Sequence, residues 1–145
     1  MGRAEFIGAL RRLGITDPVF HERCFTVADE SGDDAVDFQE FFDSIFIVLH
    51  GSPAQIADFE FSMWAGRGSA HMSPKQFEDL YAAGCRMDAG RSSVEAVVSA
   101  EVQSAFRRAD AESNCLIDRA EFARIFPTIP SPLTVLSQTL RHNHN

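Results

Sequence analysis

Asp29-Glu30-Ser31-Gly32-Asp33-Asp34-Ala35-Val36-Asp37-Phe38-Gln39-Glu40 and Asp110-Ala111-Glu112-Ser113-Asn114-Cys115-Leu116-Ile117-Asp118-Arg119-Ala120-Glu121 share one spacing. Oxygen-bearing side chains stand at positions 1, 3, 5, 9 and 12 of each stretch: Asp29, Ser31, Asp33, Asp37 and Glu40 in the first, Asp110, Glu112, Asn114, Asp118 and Glu121 in the second. Position 7, Ala35 or Leu116, offers its backbone carbonyl. A hard dication takes six to eight oxygens, and a chain curling round it presents one at every other residue, with a carboxylate at position 12 able to give two. These twelve residues are the candidate metal ligands, and calcium is the expected ion. A bidentate Glu at position 12 favours the larger dication over magnesium.

The surroundings of the two stretches repeat as well. Phe25 and Phe106 each stand four residues before a loop, and Phe41 and Phe122 each follow position 12. The template fits a third time at 65–76, with Phe61 before it, Met72 at position 8 and Phe77 after it. A half copy opens the chain, with Met1 at position 8, Glu5 at position 12 and Phe6 next. These Phe belong on the core-facing sides of entering and exiting helices. Val36, Met72 and Ile117 fall where such loops pair through a short antiparallel strand, a place suited to branched or long apolar residues. The half hand is expected to pair with 29–40, and 65–76 with 110–121. The third copy contains no carboxylate and carries Arg67, His71 and Lys75 instead, so a structural, metal-free role is expected there.

Both acidic loops depart from the pattern at position 6. Glycine normally stands there because the chain turns with positive φ, whereas these loops have Asp34 and Cys115. Aspartate tolerates that conformation, and the strain for cysteine is about 1 kcal/mol, too little to veto binding. The first loop is the more acidic and is the stronger expectation. Glu112 is longer than the Asp or Asn usual at position 3.

Composition narrows the class. The chain of 145 residues carries a formal charge of -8, which disfavours nucleic acid and anionic membrane as direct partners. Ten of its 21 Asp and Glu fall within the two loops, a concentration suited to cation sites. Three scattered Cys form neither a disulfide framework nor a zinc site, and an odd count fits a reducing compartment. No stretch reaches membrane-spanning length, so no membrane insertion is expected, and the location expected is the cytoplasm or the cytoplasmic face of a membrane protein. The sequence offers no nucleophile–base pair and no phosphate-cradling glycine loop, so the chain is expected not to be an enzyme itself.

Capping-box spacing at Asp37/Glu40, Ser52/Gln55, Ser73/Gln76, Ser92/Glu95 and Asp118/Glu121, with Pro18, Pro53 and Pro74 in first turns, marks helix starts. Helices are expected near 3–13, 18–28, 38–50, 53–64, 74–87, 93–109, 119–126 and 132–141, with a linker from Gly84 to Arg91. The expected fold is all-α, paired helix–loop–helix hands in two lobes. One lobe covers 1–50, the half hand and the 29–40 hand; the other covers 51–145, the degenerate hand, the 110–121 hand and a C-terminal helix.

Over nearly its whole length the chain resembles the EF-hand calcium-binding superfamily. The runs Phe25-Thr26-Val27-Ala28-Asp29, Asp37-Phe38-Gln39-Glu40-Phe41-Phe42-Asp43, Leu49-His50-Gly51-Ser52-Pro53 and Phe61-Ser62-Met63-Trp64 resemble the EF-hand regulatory region of calcium-activated NADPH oxidases, the dual-oxidase type in particular. In that family the hand matching 65–76 usually has ligands, and here it has none. The resemblance implies a calcium sensor that opens an apolar surface toward an amphipathic helix or a catalytic domain, on another molecule or elsewhere in a longer parent chain. It does not imply oxidase chemistry, because the flavin, haem and nicotinamide domains have no counterpart in 145 residues. The alternative is a calcium-independent interaction scaffold with degenerate loops.

Overall fold

The structure, a computed structural model, describes the chain except residues 13, 30, 38, 41, 42, 44, 45, 47–49, 67, 89–93, 144 and 145, and the side chains of 139–143. Helix α1 (Arg3–Arg12) leads to α2 (Pro18–Ala28), then the first acidic loop. After that loop residues 39, 40, 43, 46 and 50 are helical; Phe41 and the rest of the helix expected over 38–50 lie partly outside the described residues. There follow α3 (Pro53–Ala65), strand β1 (His71–Met72), α4 (Pro74–Met87), α5 (Glu95–Ala109), strand β2 (Ile117–Asp118), α6 (Arg119–Ile125), a 3-10 turn (Phe126–Thr128) and α7 (Pro132–Asn143). The fold is all-α and EF-hand-like, with one two-stranded ribbon among the described residues.

Local chemistry sets the helix starts. Ser52 with Gln55, Ser73 with Gln76 and Asp118 with Glu121 each close both arms of a capping box, satisfying amides that the first helical turn leaves without partners. Asp17 caps α2 by accepting from the Phe20 amide at 3.0 Å, with Pro18 in the first turn. Helix α5 departs from expectation: it opens at Glu95 with Val94 at the cap position and no side-chain cap, while Ser92 lies outside the described residues. The expected linker from Gly84 is also shortened. Helix α4 runs on to Met87, and Gly84 is buried inside it, because the backbone at Pro130 packs directly on that residue.

The ribbon joins the two hands of the second half, with Met72 opposite Ile117 and His71 opposite Asp118. Position 8 thus meets position 8. The same register recurs at the start of the chain. The Val36 amide donates to the Met1 carbonyl at 2.8 Å, the Met1 amino group donates to the Val36 carbonyl at 2.6 Å, and Gly2 bridges Ala35. Val36, Met72 and Ile117 are all fully buried, so each pairing also fills the core beneath it.

That core is one continuous cluster. Phe6, Phe25, Phe61, Phe77 and Phe122, all flanking loops, are buried in it, and Phe106 packs against its edge. Edge-on pairs join them across elements, Phe6 with Phe25 at 5.6 Å between ring centroids, Phe61 with Phe122 at 5.6 Å and Phe77 with Phe106 at 5.7 Å. Helix α2 packs on α3, and a bidentate ion pair from Arg86 to Asp17, 2.7 and 3.2 Å, ties α4 to the cap of α2.

Candidate metal centre

The 110–121 loop is held between two helix ends. Helix α5 stops where the Asp110 amide donates to the Phe106 carbonyl at 2.9 Å. Arg124, from α6, donates to the carbonyls of Arg108 at 2.6 Å and Ala109 at 3.2 Å, covering the last carbonyls of α5 with a cation. The Asp110 carboxylate then receives the amides of Asn114 at 3.2 Å and Cys115 at 2.8 Å, and Asn114 Oδ1 receives the Leu116 amide at 3.1 Å. Side-chain oxygens of the loop thus take up its own backbone amides.

Glu121, at position 12, is 7% exposed and reaches back into this loop. Its Oε1 accepts from the Asp118 amide at 2.9 Å and its Oε2 from the Glu112 amide at 3.3 Å. One carboxylate oxygen each from Glu112, Asp118 and Glu121 lie within 4.8 Å of one another. Oxygens bound to one calcium at 2.3–2.6 Å can be no farther apart than about 5 Å, so this group fits a hard dication as it stands. Among the described residues no other group of three His, Cys, Asp or Glu comes so close.

The 29–40 loop shares the fold of its neighbour and not its closure. Asp29 accepts from the amides of Gly32 at 3.1 Å and Asp34 at 2.9 Å, and Asp33 Oδ1 from the Ala35 amide at 3.1 Å. Glu40 and Asp37 exchange the hydrogen bonds of a capping box, 3.1 and 2.7 Å. A hydrogen bond from the exposed Ser31 hydroxyl, then one from the Ala35 amide, holds the Asp33 carboxyl below its ordinary pKa. Asp34, outside the ligand positions, pairs with Arg3 at 3.3 Å. Among the described residues no three carboxylates of this loop come as close together as those of the second.

Positive φ falls where the pattern puts it. Asp34 and Cys115, at position 6, have φ of 67° and 63°. Position 4 is also left-handed, with Gly32 at 72° in the first loop but Ser113 at 54° in the second. The second loop therefore carries two side-chain-bearing residues in a conformation that costs about 1–2 kcal/mol each. The strain at Ser113 does not follow from the ligand spacing alone.

The 65–76 loop contains no carboxylate and is braced by a cation from the neighbouring hand. Arg119 donates from Nε to the Ser69 carbonyl at 3.2 Å, from Nη1 to Asp58 at 2.6 Å and from Nη2 to the Ser62 hydroxyl at 3.2 Å. Its guanidinium also lies over the Phe61 ring, 4.6 Å from the centroid. Arg119 sits between two candidate ligands, so one residue fastens the acidic loop to the empty one. Sequence spacing did not single out Arg119 or Arg124. Their signal is a charge at a loop or helix position, and that becomes informative only when its distant partners are known.

No family model matches the chain. A calcium-binding protein of Dictyostelium discoideum, NCSA, is 24% identical to it over 80 residues, which are 55% of this chain and 43% of that protein. The matched part thus spans less than half the length of the relative. The chain is similar to a protein described as binding calcium.

Proposed function

We propose that the chain is a calcium-binding regulatory module of the EF-hand type. The observation that supports it most is the group formed by Glu112, Asp118 and Glu121 on a loop already folded by Asp110 and Asn114. The likeness to the Dictyostelium calcium-binding protein agrees with it. In this reading Asp110, Glu112, Asn114, the Leu116 carbonyl, Asp118 and Glu121 hold one calcium ion. Asp29, Ser31, Asp33, the Ala35 carbonyl, Asp37 and Glu40 hold a second, more weakly, because its acids must first be drawn together. Bound calcium supplies a local charge that the carboxylates of an empty loop lack, and pulls the exit helix toward the loop. The opened apolar surface then takes an amphipathic helix or a catalytic domain, of another protein or of a longer parent chain.

The division into lobes at 1–50 and 51–145, the cytoplasmic location and the kinship with dual-oxidase regulatory regions belong to this reading. Among the described residues no helix is long and apolar enough to cross a membrane. We assign the chain no catalytic chemistry. Calorimetric titration with calcium, followed in parallel by Trp64 emission, tests the proposal: heat at two sites of unequal affinity is expected. The absence of both heat and spectral change at millimolar calcium would end it. A calcium-independent scaffold is the second reading, favoured by the strained Ser113 and Cys115 and by the arginine-braced empty loop. Partner binding that is equal in chelator and in calcium would select it.

A further inference from the structure

Glu60 is fully buried, and no metal loop uses it. It lies on α3 beneath the start of α7. Its Oε1 accepts from the Leu133 amide at 3.2 Å, while Oε2 and the buried Trp64 Nε1 make no hydrogen bond of ordinary geometry, Ser131 and Trp64 standing near enough only to favour the carboxylate weakly. The cover over this carboxyl is the segment Pro130 to Leu133. That cover is seated tightly: a Cβ on Gly84 of α4 would lie 1.4 Å from the Pro130 carbonyl oxygen. Ser131, Leu133 and Leu136 are buried with it.

No cation answers the carboxyl from any packed element among the described residues. On α2, Arg23 stacks on the Trp64 ring at 5.4 Å, the His21 ring is bonded to the Ile15 carbonyl at 2.6 Å, and the adjacent Cys24 thiol is kept protonated, first by burial and then by Glu60 itself. On α3, Asp58 pairs with Arg119 of α6, and Arg124 of α6 is turned to the end of α5. On α4, Arg86 pairs with Asp17 and Asp79 with Lys75, and Glu78 raises the Lys75 pKa with Asp79. The described side chains of α7 carry no ionisable group. Burial pushes the Glu60 carboxyl up to about 8, against weaker opposing contributions from Ser131, the Leu133 amide and Trp64.

We propose that docking of α7 on α3 and α4 is controlled by the proton on Glu60, the neutral acid holding the helix in place and the carboxylate loosening it. When α7 lifts, water reaches Glu60 and its acidity returns toward the ordinary carboxylate range. The docked state therefore binds more protons than the undocked one between that range and about 8. Docking is fully favoured below this window, weakens as pH rises through it by up to about tenfold per pH unit, and changes no further above it. The calcium loops take no part, so the effect appears in chelator.

Hydrogen exchange of the α7 backbone amides in the whole chain, with chelator present and corrected for intrinsic rates, reads this directly. Protection should fall on the order of 100-fold between about pH 5.5 and about pH 7.5 in the native chain, and stay level in Glu60→Gln, which keeps the size and polarity without the charge. The glutamine variant also subtracts any contribution from histidines. Gly84→Ala, which displaces Pro130, should leave α7 unprotected at every pH. Level protection in the native chain, or an equal fall in Glu60→Gln, overturns the proposal. Should Glu60→Gln fail to fold, the infrared band of a protonated carboxyl in the native chain decides. Its loss in step with α7 protection supports the latch, and its absence at about pH 7 refutes it.

Discussion

The 29–40 and 110–121 loops have the same ligand spacing, the same left-handed turn at position 6 and the same strand register, yet among the described residues only the second gathers three carboxylates. The more acidic loop is the less assembled one. Position 10 is one clear difference. Arg119 in the second loop is bound to Asp58, Ser62 and Ser69, whereas the matching position of the first loop is Phe38, outside the described residues. The pairings differ too: 110–121 joins the 65–76 hand through a two-stranded ribbon, while 29–40 meets Met1 and Gly2 through a single bridge. The number of acids sets how strongly a loop attracts a cation. The neighbouring hand sets how much ordering remains to be done when the ion arrives, and that cost is subtracted from affinity.

The largest test of this contrast removes the position-12 carboxylate. Glu121→Gln should weaken the tighter calcium site by about 3 kcal/mol, on the order of 100-fold, because Glu121 is buried and closes both ends of its loop. Glu40→Gln should weaken only the looser site and leave the tighter isotherm in place. Calorimetry on both variants distinguishes them, and a reversal of the two effects would place the principal site at 29–40.

A middle-sized effect is expected from Arg119→Met, which keeps bulk over Phe61 and deletes the charged hydrogen bonds. It should cost about 2 kcal/mol of stability and lower the melting temperature by about 4–8 °C, together with a loss of calcium affinity at 110–121. If affinity survives while stability falls, the bracing of the empty loop has no bearing on the acidic one.

Smaller gains should come from relieving the backbone. Cys115→Gly and Ser113→Gly each remove a side chain from a left-handed position, at φ of 63° and 54°, and should tighten calcium binding several-fold, about 1 kcal/mol apiece. The equivalent change at Asp34 should gain less, because aspartate adopts that conformation more readily and this one pairs with Arg3. Equal gains at all three positions would show that strain does not separate the two loops.

Much of the architecture was legible in the sequence, because it is encoded locally. Val36, Met72 and Ile117 sit at one loop position, and each turned up buried at a strand pairing. The capping boxes at Ser52, Ser73 and Asp118 need only residues three apart, and all three close. What escaped was set by distant partners. Gly84 reads as a linker residue until Pro130 is found against it. Glu60 belongs to no motif or spacing, and its burial appears only where α7 covers it. Within the candidate site, spacing singles out Glu112, Asp118 and Glu121, and the structure gathers their carboxylates. The unequal closure of the two loops was not legible, because it depends on Arg119 and on what each loop pairs with.

The ribbon from His71 to Met72 and Ile117 to Asp118 makes a hand without carboxylates mechanically answerable to one that has them. A single ion drawing in Asp118 would tug on the backbone of His71, and through it on α3 and α4, which flank a loop without carboxylates. Stoichiometry and motion then part company: ions counted by calorimetry would be fewer than the helices that reorient. Amide resonances of His71 and Met72 during a calcium titration would register that tug, and their immobility would sever the two hands.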